Sequence, residues 1–398
     1  MQFSIEKELG NGRGRAGKIE TSHGDIQTPA FIVVGTKATV KALTPEQVFS
    51  LGAQAVIANT YHLYLQPGED VLKKAGGFPK FMNWKGPTFT DSGGFQAFSL
   101  GAAFNKSASK IGNRHDEENV VEVDPLEIPA DRFANVTEDG VEFKSILDGS
   151  THFFTPEKSM DIQHGIGADI MFAFDECTSP LASYEYQKEA MDRTHRWAER
   201  SLEHHKKTNE NNQALFGIVQ GGRHEDLRKE SAKIIGAMDF DGFGIGGSFE
   251  KEDIYTAVGW VNDELPKNKP RHLLGIGEPV DLFGGIENGI DTFDCVTPTR
   301  IARNGSLYTR NGRINILNAK FVEDFGKIDG DCACYTCVNY TPAYLSHLFR
   351  AKEMLAATLA SIHNLYFIVN LVKEIRQSML DDKFFEFKEA FLKKYYKN

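Results

Sequence analysis

Short apolar runs that end in glycine or in small polar residues recur along the chain. Eight stand out: AFIVVGT (30–36), AVIANTYH (55–62), TFTDSGG (88–94), IMFAFDEC (170–177), LFGIVQGG (215–222), GFGIGG (242–247), HLLGIG (272–277) and TFDCVTP (292–298). Near-continuous apolar character, rather than strict alternation, predicts strands covered on both faces, as in a parallel sheet. Most runs are separated by helix-like segments with start signals. In two of them Thr44 precedes Pro45 and Thr155 precedes Pro156, so that a hydroxyl caps the helix and proline takes its first turn. Eight strand–helix units predict an α/β fold, a closed (β/α)8 TIM barrel with its chemistry at the C-terminal ends of the strands. A doubly wound open sheet ranks second, because the first strand–helix turn has no G-x-G-x-x-G.

The pattern is interrupted in three places. Residues 1–27 predict a short antiparallel pair with glycine-rich turns. Between the third and fourth strands lie a predicted hairpin at 140–149 and an acidic insertion at about 103–135, polar and carrying Pro125 and Pro129, which predicts a loop or lid. Beyond Lys320 the repeat stops and a cysteine cluster leads into helical sequence, so residues 1–320 are expected to form the barrel and 321–398 a zinc-binding helical subdomain. Phe384, Phe387, Phe391 and Tyr395 follow helical spacing and are expected in that subdomain's core.

Charge changes the picture locally. The net charge of −10 argues against a generally basic nucleic-acid binder. Residues 116–131 alone hold seven acids and no Lys or Arg, whereas Arg300, Arg303, Arg310, Arg313 and Lys320 share a window of 21 residues free of Asp and Glu. Such a strip can hold phosphates on an acidic protein. No apolar run reaches the roughly 18 residues of a membrane span, and the N-terminus has no basic region followed by an apolar one. A cytoplasmic protein is expected.

Five cysteines, three of them crowded at 332, 334 and 337, do not make a disulfide framework. Cys332, Cys334 and Cys337 need one further ligand for a closed, structural tetrahedral zinc site. His347 and His363 both follow; spacing favours the nearer His347, while His363 is expected to begin a new helix and swing back. Asp91, Asp175 and Asp294 each end a predicted strand, and two such carboxylates suffice for glycosidic chemistry, one attacking the sugar carbon and one moving a proton. A lone Asp of this kind is more often a cap, but three at equivalent barrel positions point to function. Pro298 breaks the eighth run and is expected to release Arg300 and Arg303 onto a loop. Glu278, after the seventh strand, argues against phosphate at that turn.

The strings NTYHL (59–63), DSGGFQ (91–96), FDEC (174–177), FGIVQGG (216–222) and FDCVTPTR (293–300), with the cysteine cluster, closely resemble the bacterial tRNA-guanine transglycosylases, from about Gly17 to the C-terminal helices and leaving out the acidic insertion. The resemblance implies a homodimeric enzyme that exchanges guanine at wobble position 34 of tRNA for a 7-deazaguanine, preQ1, in queuosine biosynthesis. It implies Asp294 as nucleophile on ribose C1′, with a covalent tRNA intermediate, and Asp91 as general acid/base. Asp175 matches the carboxylate that reads the guanine edge, Gln220 and the Gly247 N–H match the contacts to its 6-oxygen, and Phe95 and Leu274 match the residues that sandwich the ring. Arg300 and Arg303 match positions that hold the anticodon loop, and His363 matches the fourth ligand of one structural Zn2+ per subunit.

Two departures accompany the likeness. After Gly247 the family continues Leu, a small residue, Val, Gly, Glu, whereas this chain reads SFEKE (248–252), which opens preQ0 and queuine as alternative bases. The acidic insertion is expected away from the tRNA path or at a subunit edge, because acids exposed near the tRNA repel phosphate. A retaining glycoside hydrolase using Asp294 and Asp91 is the alternative outside the family; it has no use for the cysteines or the basic window. A non-catalytic RNA-binding module is disfavoured by the presence of Asp91, Asp175, Gln220 and Asp294 together.

Overall fold

A computed structural model of the chain describes residues 1–10, 12–101, 134–145, 147–180, 182–210, 212–247 and 254–397. Nearly all of the acidic insertion, and the loop 248–252, lie outside the described residues.

All eight expected strands form: β1 (Ala30–Val34), β2 (Val56–Ala58), β3 (Thr88–Thr90), β4 (Ile170–Phe172), β5 (Ala214–Val219), β6 (Gly242–Ile245), β7 (Arg271–Leu273) and β8 (Thr292–Asp294). They close into one parallel barrel in sequence order. β8 returns to β1 with Thr292 opposite Ala30, Phe293 opposite Phe31 and Asp294 opposite Ile32. Every residue of β4, β5, β6 and β7 is buried, which is why the runs lack alternation. Glycine serves as a packing residue here: a Cβ on Gly242 would sit 2.5 Å from the Phe216 ring, and one on Gly244 2.9 Å from Phe172.

The chain divides into two compact units. One comprises Met1–Ala58, Pro79–Phe89 and Pro270–Asn398. Its N-terminal sheet has three strands rather than the expected pair: Gln2–Glu8, Arg15–Thr21 and Gly24–Thr28, all antiparallel. The buried Arg15 guanidinium meets the Asp291 carboxylate twice, at 2.9 and 2.6 Å, and Asp291 Oδ2 also accepts the Arg271 N–H at 2.7 Å. Asp291 therefore ties the N-terminal sheet to the start of β7 and β8. The 27-residue helix Met354–Leu380 runs through this unit. It is long and apolar enough to cross a membrane, an exception to the reading of the sequence, but 72% of its apolar window is buried within the protein. Phe384, Phe391 and Tyr395 of the last helix are buried, and Phe387 packs 5.7 Å from Phe283, the expected core role.

The second unit comprises Asn59–Phe78 and Thr90–Lys269. The expected hairpin belongs to a three-stranded sheet, Ala134–Val136, Val141–Lys144 and Thr151–Phe154. The capping signals behave as read: Thr44 accepts from Gln47 N, and Thr155 from Lys158 N.

Candidate active site and metal centre

In the first unit, Asp294 is the last residue of β8 and is half-buried. Its Oδ1 accepts the Gly275 N–H at 2.8 Å and lies 3.1 Å from His272 Nε2. Gly275 has φ 75°, a left-handed conformation that glycine adopts at little cost. His272 is fully buried, and its Nδ1 lies 2.9 Å from Thr292 Oγ1. An ionised carboxylate offers only acceptors, so the Nε2 N–H points at Asp294, and Nδ1 pairs with the Thr292 hydroxyl. One strand residue thus fixes the imidazole, and the imidazole fixes Asp294. The neighbouring Cys295 does not compete as a nucleophile, since burial pushes its thiol up to about 11.

Arg300 and Arg303 are not on a loop. They belong to the short helix Thr297–Ala302 and its C-cap, where Pro298 starts a helix instead of ending a strand. Arg300 is exposed; Arg303 is half-buried and donates from Nη1 to Thr299 O at 2.9 Å. Burial, and then the charge of Arg300, push the Arg303 guanidinium below its ordinary value. Two cations close enough to feel each other suit a polyanion.

The second unit carries the other two carboxylates. Asp91 follows β3, and its Oδ1 accepts the N–H groups of Thr60 (2.9 Å) and Gly93 (3.1 Å). Its Oδ2 takes Asn59 Nδ2, while Asn59 Oδ1 caps the helix Thr60–Leu65 by accepting His62 N at 3.0 Å. Asn59 thus works at both ends of its amide. Asp175, buried, accepts Ser92 Oγ at 2.8 Å on one oxygen and Gln220 Nε2 at 2.7 Å on the other. Next to it, buried Glu176 accepts Tyr186 OH at 2.7 Å and pairs with Arg193. Burial and that bond lift Tyr186 to about 12. Phe95 is half-buried at the start of the helix Gly94–Gly101.

The ligand atoms of Cys332, Cys334, Cys337 and His363 all lie within 4.8 Å of one another. His363 Nδ1 is 3.9, 3.5 and 3.2 Å from the three sulfurs in that order. A tetrahedral ion with bonds of about 2.3 Å to sulfur and about 2.0 Å to nitrogen separates such ligands by about 3.5 Å, so the cluster fits a metal. The other ring nitrogen, Nε2, donates to Tyr308 O at 2.6 Å, leaving Nδ1 its lone pair for the ion. Cys334 also caps the helix Tyr335–Asn339, and hydrogen bonds from Cys332 and Cys337 hold its thiol below the ordinary range. His347 sits exposed on the helix Pro342–Arg350, outside the cluster. His363 does not begin a helix. It lies inside Met354–Leu380, fully buried.

Residues 10–128 and 126–397 match the family described as queuine tRNA-ribosyltransferase, two stretches that meet inside the acidic segment. The chain belongs to this family. It is 47% identical over 401 residues to the queuine tRNA-ribosyltransferase of Caldanaerobacter subterraneus subsp. tengcongensis, covering 100% of this chain and 98% of that protein. The queuine tRNA-ribosyltransferase of Desulforamulus reducens is 48% identical over 396 residues (99% and 98% covered), and that of Bacillus subtilis 44% over 398 residues (99% and 96%).

Within the queuine tRNA-ribosyltransferase frame, the structure joins Asp175 directly to Gln220, and the three cysteines to His363. It leaves Leu274 half-buried one residue beyond β7. Sequence reasoning missed His272, Asn59 and Thr292. The signal for His272 was present as a lone polar side chain opening an otherwise apolar run.

Proposed function

We propose that this pentosyltransferase exchanges the guanine at position 34 of tRNA for a 7-deazaguanine through a covalent aspartyl–ribosyl intermediate. What carries the reading is Asp294, held at a strand end by the Gly275 N–H and His272, with Arg300 and Arg303 on the helix that follows. An Asp294 oxygen attacks ribose C1′ and the bond to guanine N9 breaks. The incoming base then attacks C1′ through its own N9 and releases the carboxylate. Two displacements retain configuration. Asp91 gives a proton to the departing guanine and takes one from N9 of the incoming base, so the cycle closes without a net proton. Its backbone donors suit the accepting half of that work.

Guanine presents N–H donors and a 6-oxygen acceptor on one edge. Asp175 and Gln220 are complementary to those groups and to each other, so the base replaces their mutual bond with one bond to each. The Gly247 N–H adds a second donor to the 6-oxygen, and Phe95 and Leu274 stack on the ring. The incoming base is preQ1. Arg300 and Arg303 hold the anticodon loop by its phosphates.

The metal is Zn2+, held by Cys332, Cys334, Cys337 and His363; when bound it supplies structural cross-linking and no chemistry at the sugar. The protein is cytoplasmic, and a homodimer fits an aromatic strip of exposed Tyr335, Val338 and Tyr344, in which half-buried Tyr340 stacks on Tyr344 at 5.4 Å.

Incubation with unmodified tRNA and labelled guanine, in competition with preQ1, preQ0 and queuine, tests the reaction. Label enters tRNA and preQ1 chases it best. Asp294→Asn abolishes a denaturant-resistant protein–tRNA adduct while tRNA still binds. No incorporation by the wild type, or an intact adduct in the variant, overturns the reading.

A further inference from the structure

Arg228, in the first turn of the helix Glu225–Ala237, looks from the sequence like a solvated charge, yet it is completely buried. Its guanidinium donates to three backbone carbonyls. Nε reaches Gly222 O at 2.7 Å, and Nη1 reaches Gly246 O at 2.8 Å and Val219 O at 3.3 Å. Those oxygens belong to the end of β5, the turn after it, and the residue after β6. The two strand exits are also joined by Gly246 N–H to Val219 O at 3.1 Å. Only a guanidinium offers several donors in a rigid fork; a lysine ammonium on its flexible stem does not reproduce that spread.

The glycines are shaped around this side chain. Gly247 has φ 101°, and a Cβ there would lie 2.5 Å from Arg228 Nη2 and 3.0 Å from Gln220 Oε1. A Cβ on Gly246 would lie 2.8 Å from Gln220 Nε2. Gln220 itself is steadied through its backbone N–H, which donates to Ser231 Oγ at 3.2 Å from the same helix. Arg228 and Gln220 therefore both pack against one glycine turn, where a side chain on Gly247 would strike the two of them together. The donor groups of that turn are aimed by a buried cation.

We propose that Arg228 is the positioning residue for the acceptor-reading edge of the base pocket: it sets the Gly247 N–H and the Gln220 amide against the 6-oxygen of the base, and its charge favours an oxygen that gains electron density as the glycosidic bond breaks. This rests on the base-exchange reading above. The consequence is a selective one. Losing the guanidinium weakens purines that carry a 6-oxygen and spares those that do not, and binding of tRNA, held by other residues, is unaffected.

The test measures inhibition constants for guanine and for 2-aminopurine, which lacks the 6-oxygen, in wild type, Arg228→Lys and Arg228→Gln, with tRNA binding measured alongside. Guanine binding is expected to weaken by about tenfold or more, the scale of one charged hydrogen bond, with 2-aminopurine and tRNA unchanged. Equal loss for both purines marks a merely structural role and overturns the inference, as does unchanged guanine binding. If neither variant folds, the wild type serves. Its slowly exchanging arginine side-chain 15N signals shift on adding guanine and not 2-aminopurine, and no guanine-specific shift overturns the inference equally. A wild type that exchanges no guanine removes the base-exchange reading and this inference with it. Exchange by the wild type, with wild-type guanine binding in Arg228→Lys, removes only this inference.

Discussion

Replacing His272 with phenylalanine isolates the support of the proposed nucleophile. The ring is fully buried and lies 5.7 Å from Phe89 at a 31° tilt, so another aromatic keeps the packing. What is lost is the donor 3.1 Å from Asp294 Oδ1, leaving the Gly275 N–H on that oxygen. A hydrogen bond to a charged group contributes about 1.5–3 kcal/mol. Two effects then oppose each other: the carboxylate becomes more basic, which favours attack, and it becomes less well oriented, which disfavours it. Orientation wins, because two donors converge on Oδ1 and hold the carboxylate in one setting, and a misplacement of about 1 Å costs roughly a hundredfold. The covalent adduct should form about 10–100 times more slowly, with tRNA affinity unchanged. Quenching on denaturing gels over a time course reads the rate directly. Phenylalanine also strips the buried Thr292 hydroxyl of its 2.9 Å contact, a stability loss of about 1–3 kcal/mol. The double variant His272→Phe with Thr292→Val removes both partners and should recover stability without recovering rate. An adduct rate in His272→Phe equal to or above wild type would refute the reasoning.

Three further outcomes are expected. Arg300→Ala and Arg303→Ala should each weaken tRNA binding and reduce the slope of log affinity against log salt by about 1; an unchanged slope removes that residue from the phosphate contacts. His363→Ala should lose bound zinc, read by elemental analysis, and unfold at lower denaturant; a full equivalent of zinc in the variant counts against the ligand set. Burial depresses His195 and His164 to about 4. The unfolded chain binds more protons between about pH 6.5 and 4, so stability is present above that window and falls through it on acidification. For buried His195 the loss by pH 4 is roughly 2 kcal/mol after solvent screening. Equal urea midpoints at pH 7 and pH 5 would contradict it.

The barrel was legible because its strands are buried on both faces: runs such as IMFAF (170–174) and LFGIV (215–219) admit almost no polar residue, and the polar residues that matter fall just past their ends. Asp91, Asp175 and Asp294 were visible for that reason. His272 opens a run and passes for its boundary, and Arg228 stands beside acids in an amphipathic helix, where a buried charge and a solvated one have the same letters around them. The fourth member of the cysteine cluster is misplaced by spacing for another reason. Sequence distance favours His347, but that residue faces solvent from its own helix, whereas Met354–Leu380 carries His363 back to the cysteines. Pro298 has the look of a breaker in the sequence, but proline at a first turn starts a helix equally well.

Helix Met354–Leu380 presents two consecutive working residues. His363 faces the cysteines and Tyr308 O, and the fully buried Asn364 accepts Tyr308 N–H and donates to Pro298 O and Ser306 O, each at 3.0 Å. Pro298 lies in the helix that carries Arg300. Successive side chains on an α-helix are about 100° apart, so the two contacts share one angular setting. A single-residue insertion or deletion between Met354 and His363 therefore unseats His363 from the cysteines and the anchor of the arginine helix together, and neither can be rescued at the other's expense. Grafting or splicing the C-terminal helices between relatives must therefore keep register through this half-turn.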